Sequence, residues 1–123
     1  MNNDLTPVLV GCGQLTDRRS PETGGTPIEL MAEVATMAAA DAGPGEALLQ
    51  AIDVLAAIGL TVDAAESGSP AKGMVRNVPH ALAAKLEISP GAQFYSQTGG
   101  NTPQMLVNRF AEEISLGQAS AVL

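Results

Sequence analysis

The chain has 123 residues, 46% of them apolar and 15% charged, so it can bury a core of ordinary domain size. Thirteen acidic residues against six basic ones give a net charge of −7, and no basic cluster exceeds the Arg18–Arg19 pair, which excludes a nucleic-acid footprint. One cysteine, Cys12, and one histidine, His80, exclude an internal disulfide and leave too few soft ligands for a closed zinc site, so no metal centre is expected.

The first residues carry no positively charged lead, and no apolar run approaches the roughly 20 residues of a membrane span, so a cytoplasmic protein without a membrane span is expected. Residues 7–10 are a short β-branched run ending in Gly11-Cys12-Gly13, which predicts a first buried strand. The Gly-Cys-Gly turn is a weak match to a dinucleotide loop, because the third glycine and an immediate helix are missing. Cys12 is expected as a small buried residue at the strand end. Residues 16–25 read as a surface loop, in which Arg18 and Arg19 form a solvated pair that could also meet a phosphate.

A helix over 27–42 follows, with Thr26 as cap, Pro27 at its first position and Glu29 completing a capping box. Ile28, Met31, Val34 or Ala35, and Ala38 form its apolar stripe. Residues 46–51 predict a short helical turn, and 52–60 a second buried strand. Residues 61–73 predict a loop of about a dozen residues, long enough to be functional. The next helix starts at Asn77 as cap, runs through Val78, Leu82 and Leu86, and stops at Ser89-Pro90-Gly91; His80 in its first turn is expected at the surface. Residues 92–96 predict a third strand, leading to Gln97-Thr98-Gly99-Gly100-Asn101. A last helix begins there, capped by Asn101 or Thr102, with the stripe Leu106, Phe110 and Ile114, an exposed Arg109–Glu113 pair, and Gly117 as its stop. Residues 119–123 predict a fourth strand, and an apolar run with no stop after it suggests a fragment of a longer chain.

Strands alternating with helices imply an α/β fold with a mostly parallel sheet covered on both faces. The 2% aromatic content fits that class better than a β-sandwich. In such sheets ligands bind outside the carboxyl ends of the strands. The segment from Tyr95 onward is therefore the most informative: strand, Gly-Gly turn, helix, and a second strand. It resembles the nucleophile loop of the thiolase superfamily, where a cysteine at the start of a buried helix is followed by Ser or Thr two residues on and by Gly three residues on. Counting back from Gly117 and the final strand places Gly100 at the cysteine, Thr102 at the Ser/Thr and Pro103 at the glycine. Thr6-Pro7-Val8-Leu9-Val10-Gly11 with Gly13-Gln14 is similar to the first strand of acetyl-CoA acetyltransferase-like members, and the remaining elements follow the family's order.

The resemblance implies a thiolase-like α-β-α-β-α layered fold built from two similar halves, with residues 1–123 the N-terminal part of such a domain and most of its first half. It also implies an acyltransferase homologue of the acetyl-CoA acetyltransferase type, active in lipid metabolism. Its ligand would be a coenzyme A thioester, with no bound cofactor, and its assembly a thiolase-type homo- or hetero-oligomer. The candidate site is Gly100 at the nucleophile position, able to offer only its backbone N–H, with Gly99, Asn101 and Thr102 binding the thioester. A glycine cannot take up an acyl group, which argues against covalent thiolase chemistry. The alternative is a non-catalytic acyl-CoA or lipid-binding protein, or a partner subunit of an active thiolase.

Overall fold

A computed structural model of the chain describes residues 4–61 and 73–123. The predicted loop over 61–73 lies almost wholly outside the described residues. Four helices and two strands follow in the order α1 (Pro27–Asp41), α2 (Glu46–Gln50), β1 (Val54–Ala57), α3 (Val78–Leu86), β2 (Ala92–Tyr95) and α4 (Thr102–Ser115).

α1 starts where its sequence signals place it. The Glu29 backbone N–H donates to Thr26 Oγ1 at 3.4 Å, and the Thr26 backbone N–H donates to Glu29 Oε2 at 2.8 Å, so the capping box is complete. Its buried residues are Ile28, Ala32, Ala35 and Ala39, a stripe rotated by about one residue from the expected one. α3 is capped as predicted, the His80 N–H donating to Asn77 Oδ1 at 3.1 Å. It stops earlier than Ser89-Pro90-Gly91, because Glu87 turns left-handed at φ 56° and ends the hydrogen-bond ladder.

β1 and β2 pair in parallel, Val54 opposite Ala92 and Ala57 opposite Tyr95. The predicted fourth strand adds to the other side of β1. The Leu123 N–H donates to Val54 O at 3.0 Å, Leu123 O accepts from Ala56 at 2.8 Å, and Val122 bridges Val54 in parallel. β1 alternates between two cores, as a strand covered on both faces must. Leu55, fully buried, packs with Ala32, Ala39, Leu49, Leu82 and Ala83 of α1 to α3. Val54 and Ala56 face Leu106 and Phe110 of α4. Helices therefore cover both faces of a parallel sheet, as the α/β reading requires.

The first predicted strand is a correction. Residues 7–10 belong to no ladder, and Val8, Leu9 and Val10 are 71%, 88% and 58% exposed. An apolar run reports a wish for burial and does not name the partner, and here no described strand lies alongside. The segment is instead anchored by its glycines: a Cβ on Gly11 would run into the carbonyl of Ala38, and one on Gly13 would stand 2.5 Å from Val34 O. Cys12 between them is exposed, not buried as expected. Among the described residues, no helix is long and apolar enough to cross a membrane.

Candidate functional site

The carboxyl ends of the two parallel strands meet. Beyond β1 the chain passes through 58–60, and beyond β2 through 96–101 into α4. Side chains of the second segment stitch the two together. Thr98 Oγ1 donates to the carbonyl oxygens of Gly59 at 2.9 Å and Leu60 at 3.0 Å, Tyr95 Oη accepts from the Leu60 N–H at 3.1 Å, and Ser96 Oγ accepts from the Gly59 N–H at 3.3 Å. The approach is close because residue 59 is glycine: a Cβ there would sit 2.5 Å from Ser96 O and 2.8 Å from the Thr98 nitrogen. The sequence reading missed Ser96 and Gly59, and named Thr98 only as part of the turn before α4. Their only signal was a small or hydroxyl side chain at each predicted strand end.

Within this mouth the four candidate residues stand together at the start of α4. Thr102 is buried, its hydroxyl donating to Gln97 O at 3.3 Å and its N–H to Gly99 O at 3.2 Å. The Thr102 hydroxyl thus holds the turn shut, while Gly100 and Asn101 are exposed. Asn101 occupies the cap position but is already helical, φ −90° and ψ −8°, and its side chain makes no capping bond. The expected side-chain cap of α4 is therefore absent, because a residue in that conformation cannot turn its amide onto the first helical N–H groups. Among the described residues, the N–H groups of Gly100 and Asn101 have no hydrogen-bond partner. They add to the positive end of a helix of fourteen residues. Gly100 is not required by the backbone, since its φ lies outside the left-handed region, and a Cβ built there meets nothing within 4 Å.

The other singled-out residues lie elsewhere. The exposed Cys12 sits against α1, its N–H donating to Asp41 Oδ2 at 3.0 Å and its Sγ 3.7 Å from the same oxygen. His80 is exposed on α3, as its position in the first turn predicts. Arg19 is engaged by Asp17, Nε to Oδ1 at 2.7 Å and Nη2 to Oδ2 at 3.0 Å, and Asp17 Oδ2 also accepts from the Gly25 N–H at 2.9 Å. The guanidinium first, then the Gly25 and Arg19 amides, hold the Asp17 carboxyl well below the usual carboxylate range. Arg109 makes the expected ion pair, Nε to Glu113 Oε1 at 2.9 Å, and its guanidinium also lies 4.3 Å from the Phe94 ring centroid. Among the described residues, no group of three or more His, Cys, Asp or Glu side chains could hold a metal ion.

No family model matches this chain, and no curated protein does. Among solved structures, the chain is similar to the crystal structure of a monomeric SCP2-thiolase like protein type 1 from Mycobacterium smegmatis, at 28% identity and a TM-score of 0.76. The match covers 96% of this chain and 22% of that one, so the chain spans about a fifth of the length of the protein it resembles. The fold is thiolase-like.

Proposed function

We propose that this chain is the thioester-facing part of a thiolase-like protein of the acetyl-CoA acetyltransferase type, one that binds acyl-CoA without forming a covalent acyl intermediate. The likeness over 96% of the chain to an SCP2-thiolase like protein carries the reading. The mouth of the sheet supplies the chemistry. The N–H groups of Gly100 and Asn101, without a partner among the described residues, stand at a helix start where a thioester carbonyl oxygen would be polarised. A thiolase also needs a thiolate there to accept the acyl group, so that one difficult transfer becomes two easier ones. Gly100 offers no nucleophile, and the arrangement serves to bind and polarise the thioester. The space at residue 100 is open, so packing does not demand a glycine there.

Calorimetry with acetyl-CoA and with free coenzyme A, combined with amide chemical shifts, tests this. Acetyl-CoA is expected to bind and to move the amides of Gly100 and Asn101. An absence of heat, or shifts confined to residues remote from 96–104, refutes the proposal. A Gly100→Cys variant made in a Cys12→Ser background supplies the complementary measurement. Incubated with acetyl-CoA, it is expected to gain the mass of one acetyl group, which the Cys12→Ser parent does not.

A further inference from the structure

Beyond its last backbone rung, where the Ser96 N–H donates to Ala57 O at 3.0 Å, the exit of β1 is held by side chains. All four backbone polar groups of Gly59 and Leu60 end on the segment that follows β2. The Gly59 N–H meets Ser96 Oγ and the Leu60 N–H meets Tyr95 Oη. Both carbonyls accept from the Thr98 hydroxyl, which shares its one proton between them at 2.9 and 3.0 Å. Tyr95 closes β2 and Ser96 makes the last rung, so the sheet itself fixes these two. Thr98 lies past the rung, inside the turn that leads to Gly100 and Asn101.

That turn has two anchors. One is internal: Thr102 donates through its hydroxyl to Gln97 O at 3.3 Å and through its N–H to Gly99 O at 3.2 Å, which closes the turn on itself and sets its shape. The other is external, and among the described residues Thr98 is the side chain of 97–101 that supplies it. Between Thr98 and α4 stand Gly99 and Gly100, the residue type with the widest backbone freedom. α4 holds one end of this pair and Thr98 the other. A hydrogen bond weakens steeply once its donor angle falls below about 120°. A turn left to rock on two glycines would keep its N–H groups and lose their aim.

We infer that Thr98 is a positioning residue that sets the preference for acylated over free coenzyme A: by tying the turn to the Gly59 and Leu60 carbonyls, its hydroxyl aims the Gly100 and Asn101 N–H groups at a thioester carbonyl. The inference rests on the acyl-thioester reading for its ligand, and on these hydrogen bonds for its geometry. Thr98 acts through the turn and not on the ligand, because its proton is already spent on two carbonyls. Donors held in place before the ligand arrives bind more tightly, since the ordering cost is met in advance by the fold. Free coenzyme A has no thioester carbonyl, so the aim of the two N–H groups matters only to the acylated form.

Thr98 is exposed, so its hydroxyl can be removed without touching the core. Thr98→Val does so at nearly constant shape, Thr98→Ala does so without added bulk, and Thr98→Ser keeps the donor. Acetyl-CoA carrying carbon-13 at the acetyl carbonyl is titrated into each chain, with free coenzyme A alongside. Thr98→Val and Thr98→Ala are expected to weaken acetyl-CoA by about tenfold, the worth of one aimed hydrogen bond, and to leave the Kd of free coenzyme A unchanged. The infrared carbonyl stretch of the bound thioester, lowered by the parent, should return towards its value in water, and Thr98→Ser should restore both readouts. An unchanged Kd and stretch in Thr98→Val and Thr98→Ala overturn the inference. Equal weakening of both ligands does so too, as the mark of a merely structural residue, and so does failure of Thr98→Ser to rescue. The amides of Gly100 and Asn101 in the unliganded chains supply the second measurement, and loss of the hydroxyl is expected to shift them and speed their hydrogen exchange. If the parent binds no acetyl-CoA, the acyl-thioester reading fails by itself; if those amides stay unmoved, the positioning role fails whatever the ligand.

Discussion

A side chain at position 100 meets open space, so packing does not require the glycine there. Gly100→Cys is therefore expected to fold with a stability within about 0.5 kcal/mol of the parent, measured by urea denaturation. Glu87 is the opposite case: at φ 56° it pays for a left-handed backbone that glycine adopts freely. Glu87→Gly should stabilise the chain by about 0.5–1 kcal/mol, and an unchanged or lower denaturation midpoint would contradict this. Asp17 is legible only in three dimensions, because its partners Arg19 and Gly25 are set by the loop's closure. Its carboxyl is depressed in the folded state, so it supports the loop at every pH above the unfolded value, and that support is lost only as pH falls through the lower folded value. The Gly25 amide shift should titrate well below the ordinary 3.8, and a midpoint at that value would dissolve the clamp.

At the scale of elements, the capping box of α1 is the best-read feature, and its removal is a clean test. Thr26→Ala deletes the side-chain acceptor of the Glu29 N–H and should cost about 1 kcal/mol in urea denaturation. Helices α1 to α3 and both strands were legible because capping chemistry and apolar runs are local. The α4 start was less so: Asn101 has a capping residue type, but its own helical conformation turns its amide away. The strand at 7–10 could not be settled from sequence, since its exposure depends on a neighbour that the run itself does not encode. The candidate turn 99–102 was located from the strand–glycine–helix order, whereas the ties of Thr98 to Gly59 and Leu60 join residues nearly forty positions apart and leave no local mark. Gly59→Ala should push these two loops apart, its Cβ meeting backbone at 2.5 Å, and lower stability by about 1–3 kcal/mol.

For the whole molecule, the parallel sheet and its covering helices follow from alternating strand and helix signals, and the likeness to a solved thiolase-like structure agrees with them. The two cores are separate groups of side chains, yet both rest on β1, with Leu55 on one side and Val54 on the other. A strand of four residues is thus the common floor of two rooms, and neither room can be emptied while the other stays furnished. The chain's single tyrosine, Tyr95, packs with the α1 and α3 side, and both its phenylalanines, Phe94 and Phe110, with the α4 side, so near-ultraviolet signals from the two ring types watch opposite faces. Their denaturation curves should superimpose, and Leu55→Ala should shift both together by about 2–5 kcal/mol.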